Sequence, residues 1–176
     1  MEYPCKVLAE IKEADIGIES AEEILGKKFK LRKSARGVIL NSDNEVSIQF
    51  VSKSNYYKLP GGGVEHGESI EEALRREILE EVGCNIKIQK EIGLTIEYRS
   101  KLELIHISYG FIAKVDGEIG QPSYDQGEIG AGFQPIWMSI DEAIKKTSSL
   151  PDAYEGKFII KRESIFLAEA KRLLYP

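Results

Sequence analysis

The chain has 176 residues, a formal net charge of −5, and hydrophobic and charged fractions of 42% and 30%. That length supports one domain with a real core and argues against two, and the balance of residues is ordinary for a globular protein. The negative charge argues against an electrostatically driven polynucleotide partner, and no apolar run approaches the roughly 18–20 residues of a membrane span, so neither nucleic acid nor a membrane is expected as a partner.

The N-terminal stretch, MEYPCKVLAEIKEAD, is acidic and has no continuous apolar run, so it does not read as a signal peptide. Two cysteines, Cys5 and Cys84, provide no disulfide framework and fit a reducing, cytoplasmic setting. Residues 1–28 are read as an N-terminal extension, with Ile11, Ile16, Ile18 and Leu25 available to lie against a sheet or a second subunit. Phe29 to Leu40 reads as a strand, Asn41 to Asn44 as a turn, and Glu45 to Ser52 as a half-buried strand with Val46, Ile48 and Phe50 alternating.

Leu59-Pro60-Gly61-Gly62-Gly63 follows, a backbone able to take positive φ and to approach a ligand closely. It leads into a helix marked by a Ser69–Glu72 capping box and a stop at Gly83. At about 100° per residue, Ile70, Ala73, Leu74 and Ile78 form the core-facing stripe. Glu77 and Glu81 fall inside that stripe and Glu80 lies at its edge, whereas Glu71–Arg75 and Glu72–Arg76 are spaced for surface pairs. Carboxylates repelling one another on a face bound for burial are expensive, and a cation between them resolves the cost. With oxygen ligands only, the expected ion is Mg²⁺, with Mn²⁺ as a substitute. His66 and His106 show no zinc spacing, and His66 reads as an exposed loop residue. The loop suits phosphate oxygens near a helix N-terminus, so the two features together point to metal-assisted cleavage of a phosphate anhydride.

Asn85 to Arg99 and Lys101 to Asp116 alternate like a long hairpin turning near Ser100. Gly117 to Gly132 reads as an acidic loop, Phe133 to Met138 as a short strand, Ser139 as the cap of a helix reaching about Lys146, and Lys161 to Leu174 as a final helix. Strands interspersed with helices predict an α/β fold with a mixed sheet covered on both sides. Tyr56, Tyr57, Tyr98, Tyr109, Phe111 and Trp137 are candidates to stack on a base, with strand packing as the simpler explanation of most.

From Gly62 to Cys84 the spacing runs G-x5-E-x7-R-E-U-x-E-E-x-G-U, with U a bulky apolar residue, and it resembles the Nudix hydrolase signature. Gly62, Glu68, Arg76, Glu77, Glu80, Glu81 and Gly83 match, and only Cys84 is smaller than the usual apolar residue. The resemblance implies an α/β/α sandwich around a central mixed sheet, with residues 29–176 as the Nudix domain. It implies Glu77, Glu80 and Glu81 as metal ligands and Arg76 orienting Glu77. Glu68 would support the loop or a second metal, and Gly61, Gly62 and Gly63 would lie at the substrate. Glu128 is the candidate general base or extra ligand, with Glu118 as its rival and Glu77 as an alternative base.

The implied activity is Mg²⁺-dependent cleavage of the diphosphate linkage of a nucleoside diphosphate derivative, first a nucleoside triphosphate as in MutT-like enzymes. ADP-ribose or another nucleotide sugar, a dinucleoside polyphosphate, and a non-catalytic nucleotide sensor are the alternatives. A prenyl-diphosphate isomerase is disfavoured by the positions of Cys5 and Cys84. Homodimerisation through the N-terminal region is expected by analogy.

Overall fold

A computed structural model describes residues 6–19, 28–149 and 153–176. Cys5 and Leu25 lie outside the described residues. The strands are β1 (Val7–Ile11), β2 (Lys30–Leu40), β3 (Val46–Val51), β4 (Tyr56–Lys58), β5 (Asn85–Arg99), β6 (Leu104–Asp116) and β7 (Phe133–Met138). The helices are α1 (Ile70–Val82), α2 (Gln126–Ala131), α3 (Ile140–Thr147) and α4 (Tyr154–Leu174).

One mixed sheet runs β1-β5-β6-β2-β3-β4, with β7 on β3. The expected β5–β6 hairpin forms, turning through residues 100–102 in a short 3-10 segment. β6 then lies parallel to β2 from Lys30↔Leu104 to Leu40↔Lys114. Alternation along β2 divides the core. Ala35 and Ile39 pack with Ala73, Leu74, Ile78 and Val82 of α1, while Val38 and Leu40 pack with Phe166, Leu167 and Ala170 of α4. The result is an α/β/α sandwich with a central mixed sheet, α1 on one face and α3 with α4 on the other.

Several elements differ from the sequence reading. Val7–Ile11 is a strand, parallel to β5, and β4 is a strand of three residues on the far edge. The acidic loop contains α2, and α4 starts at Tyr154 rather than near Lys161. α1 begins and ends as its caps predict: Ser69 and Glu72 form the capping box and Gly83 closes the helix at φ 79°. Its expected surface pairs give way to other bonds. Arg75 donates to the Ile86 carbonyl, Glu72 is held by the Ser69 amide, and Arg76 turns inward.

Candidate active site

The glycine loop runs antiparallel beside β2, with Ala35 N donating to Gly62 O, Gly37 N to Pro60 O and Val64 N to Lys33 O, each at 3.0 Å. Each glycine then does something a larger residue would prevent or that its backbone alone provides. Gly61, at φ 125°, leaves no room for a Cβ because the Ala35 carbonyl oxygen occupies that space. Its amide donates to Glu81 Oε2 at 2.6 Å. A Cβ on Gly62 would fall on the Glu77 carboxylate. The Gly63 carbonyl accepts from Arg76 Nη2 at 2.9 Å.

Three carboxylates converge beside this loop. Oxygens of Glu77, Glu81 and Glu128 all lie within 4.8 Å of one another. Glu81 is 1% exposed and is also paired with Lys58 Nζ at 3.1 Å. Burial raises the Glu77 carboxyl above its ordinary value, the Arg76 hydrogen bond opposes that shift, and the charge of Glu81 adds to it. Burial also raises Glu128, against the bond from the Asp125 amide and with the charge of Glu81 adding to it. Hard oxygen donors so arranged fit a divalent cation.

Glu80 and Glu68 are placed differently. The Glu80 side chain is 43% exposed and meets Arg76 Nη1 at 3.3 Å. Glu68 binds Arg76 through both oxygens, at 2.9 and 3.1 Å, and those bonds hold its carboxyl below its ordinary value. Arg76 therefore ties Glu68, Glu77 at 2.8 Å, Glu80 and the glycine loop into one charge-assisted network.

Glu128 arrives from a segment docked on the C-terminal end of α1. Gly120 N donates to Gly83 O at 2.9 Å and Ser123 N to Glu80 O at 2.7 Å. The Tyr124 hydroxyl reaches Gln49 Oε1 at 2.9 Å and Glu81 O at 3.1 Å, and Gln49 Nε2 also donates to Glu81 O at 2.7 Å. These contacts occupy carbonyls that the end of a helix leaves without intrahelical donors. An Asp125–Glu128 capping box then starts α2 and fixes the Glu128 backbone. Glu118 is exposed and lies beside the Asn41–Asn44 turn instead.

Most of the candidate aromatics serve packing. Tyr57 stacks on Phe50 at 4.8 Å, and Phe111, Tyr109 and Trp137 belong to or lie against the α1-side core. Tyr98 lies under Lys12, and Tyr56 is half-buried in the field of Arg36, Arg162 and Glu163. His66 is exposed. Cys84 is buried in the α1-side core, which pushes its thiol up to about 11. Lys58, Gln49 and Tyr124 escaped the sequence reading. A polar residue inside a strand carries no local sign of the carboxylate or carbonyl it will meet. For Tyr124 the only signal was the Asp125-x-x-Glu128 capping spacing that follows it.

A family model described as NUDIX domain matches residues 30–157. A Mus musculus diphosphoinositol polyphosphate phosphohydrolase 3-alpha is 30% identical over 117 residues, covering 65% of this chain and 68% of the relative. A Danio rerio oxidized purine nucleoside triphosphate hydrolase is 35% identical over 83 residues, covering 47% of this chain and 48% of its own. The chain thus spans about half the length of that relative. The crystal structure of a MutT protein from Methanosarcina mazei Go1 aligns with a TM-score of 0.61 at 19% identity, covering 85% of this chain and 99% of that one. That likeness shows a shared fold.

Proposed function

The chain belongs to the Nudix family, and from that premise we propose that it is a Mg²⁺-dependent hydrolase of a nucleoside diphosphate derivative, with a nucleoside triphosphate as substrate. The observation that carries the reading is the convergence of Glu77, Glu81 and Glu128 within 4.8 Å beside the glycine loop. A cation held there supplies a polarised phosphoryl oxygen and a water of lowered pKa.

The protein's own groups do the rest. Arg76 holds Glu77 in place, and the Gly61 amide and Lys58 fix the two oxygens of Glu81. Glu80 and Glu68 flank these groups through Arg76 and complete the acidic rim. Glu128, brought within 4.8 Å of Glu77 and Glu81 by its own loop, is the group placed to take a proton from an attacking water. Gly62 and Gly63 keep the loop low enough for phosphate oxygens to approach. Residues 29–176 constitute the hydrolase domain, and residues 1–28 an extension packed on it or on a second copy.

The relatives' names span oxidised purine nucleoside triphosphates and diphosphoinositol polyphosphates. The experiment is therefore product chromatography on a panel: canonical and oxidised nucleoside triphosphates, ADP-ribose, dinucleoside polyphosphates, a diphosphoinositol polyphosphate and isopentenyl diphosphate. Each is run with Mg²⁺, Mn²⁺ or EDTA, for the wild type and Glu81→Gln. Cleavage of a triphosphate that EDTA abolishes, and that Glu81→Gln lowers by about 10²–10³-fold, is expected for loss of one preorganised charge at the reacting centre. Normal turnover in a folded Glu81→Gln protein would sink the metal assignment. A different best substrate would replace the triphosphate.

A further inference from the structure

Three arginines are buried on the α4 side of the sheet, and two have acceptors. Arg162 donates to Glu97 and Glu163, and Arg99 to Glu97 and Glu155. Arg36, in the middle of β2, is the third. It is 6% exposed, and its Nε and Nη1 have no hydrogen-bond partner among the described residues. Glu163 acts on Arg36 through its charge, yet Glu163 Oε2 is itself buried without a donor, so the two do not satisfy each other.

A guanidinium in that state is costly, because burial removes water from Nε and Nη1 and no described residue replaces those hydrogen bonds. The cost is visible in its acidity: burial first, and the charge of Arg162 second, pull Arg36 down to about 10. Packing alone does not call for an arginine here, since an unbranched apolar side chain would fill similar space without a desolvated charge.

Its position suggests what the charge is for. A Cβ placed on Gly61 would stand 3.1 Å from the Arg36 Cα, so the middle of β2 lies directly against the loop whose amide holds Glu81. The charges of Glu81 and Glu77 both act on the Arg36 guanidinium. An arginine whose Nε and Nη1 are unpaired among the described residues, and which lies within the field of these carboxylates, is poised for an anion held by that same group. Its planar fork, which stays charged when buried, suits phosphate oxygens better than a lysine would.

We propose that Arg36 is a substrate-binding residue whose guanidinium takes anionic oxygens of the phosphate chain presented to Glu77, Glu81 and Glu128. The proposal deepens the hydrolase reading and rests on it for the identity of the anion. It also explains why β2 carries a charge at a position flanked by core residues: the charge completes the site only when substrate is present.

The test is calorimetric binding of methylenediphosphonate, a diphosphate mimic with an unhydrolysable bridge, in the presence of Mg²⁺. Wild type, Arg36→Met and Arg36→Lys are compared, with thermal unfolding of each free protein. The wild type should bind, and Arg36→Met should bind about tenfold or more weakly, the scale of a lost charge-assisted hydrogen bond. Arg36→Lys keeps charge without the fork and should fall between the two. Free Arg36→Met should melt at or above the wild-type temperature, which a structural arginine would not allow. Absent binding to the wild type would overturn the proposal, as would equal affinity in all three proteins. If Arg36→Met does not fold, the arginine is structural and the proposal falls. Turnover on the substrate panel is read separately. Arg36-dependent binding without turnover would sink the hydrolase reading alone, whereas turnover with binding indifferent to Arg36 would sink only this proposal.

Discussion

His106 shows how far burial can change an ordinary residue. It is 2% exposed on β6, with Ser34 Oγ at 3.0 Å from Nε2 and Arg99 Nη2 at 3.4 Å from Nδ1. Burial first pulls its pKa down to about 4, and the charges of Arg162 and Arg36 work in the same direction against Glu97. Glu97 Oε2 also stands 3.6 Å from Nδ1, so the ring sits between a carboxylate, a guanidinium and a hydroxyl. An unfolded histidine titrates near 6.5, so between about pH 6.5 and pH 4 the unfolded chain takes up a proton that the folded one refuses. Stability therefore falls as pH falls through that window, by on the order of 3 kcal/mol at its acid end. Glu97 acts in the same sense at lower pH. Burial alone would raise it, but Arg162, His106 and Arg99 hold it well below the carboxylate range, so its contribution is present above the unfolded value and is lost on further acidification. Urea unfolding at pH 7 and pH 4.5 should show this loss in the wild type and a clearly smaller one in His106→Gln. Equal losses would discard the assignment.

Among elements, the segment from Gly117 to α2 has the greatest consequence, because it carries Glu128 to the carboxylates of α1. Tyr124 anchors it, its single hydroxyl proton shared between Gln49 Oε1 and the Glu81 carbonyl. Tyr124→Phe should cost about 1 kcal/mol of stability, the net value of one hydrogen bond. It should also lower kcat severalfold by loosening Glu128. If that is the route, combining Tyr124→Phe with Glu128→Gln should reduce kcat no further than Glu128→Gln alone. Strictly multiplicative effects would show that Tyr124 acts elsewhere. The sequence read this element poorly. QGEIGA has two glycines in six residues, a poor helix by propensity, and α2 forms because its capping box, and the docking on α1 of the segment that precedes it, supply what propensity lacks. By contrast α1 was legible to the residue, since its caps and its apolar stripe are local features that tertiary contacts only reinforced.

Across the whole molecule, β1 closes the sheet on β5, and Ile11 at its end is 1% exposed. Glu13, just beyond, accepts from Ser100 N and the Tyr154 hydroxyl, each at 2.7 Å, tying the N-terminal segment to the β5–β6 turn and to α4. A chain starting at Lys28 would lose that apolar burial, about 2 kcal/mol for Ile11 alone, and bare the edge of β5. Its melting temperature should drop by roughly 5 °C or more, with metal-dependent turnover retained below the transition, since no site residue is removed. An unchanged melting curve would show that the extension contributes nothing to the fold.

The sequence by itself determined the caps and face of α1, the glycine loop ahead of it, the long hairpin and the α/β class. These follow from side-chain period, turn chemistry and capping, which act between residues close in the chain. Only the tertiary structure decided which carboxylates meet. Glu77 and Glu81 lie one turn apart and announce each other, but Glu128 joins them through a segment docked on α1, while Glu80 turns toward Arg76 and the solvent. Lys58 beside Glu81, and Arg36 with Nε and Nη1 unpaired among the described residues, are likewise products of sheet register and helix packing. An ion pair, or the lack of one, between residues far apart in sequence depends on where the whole core places them.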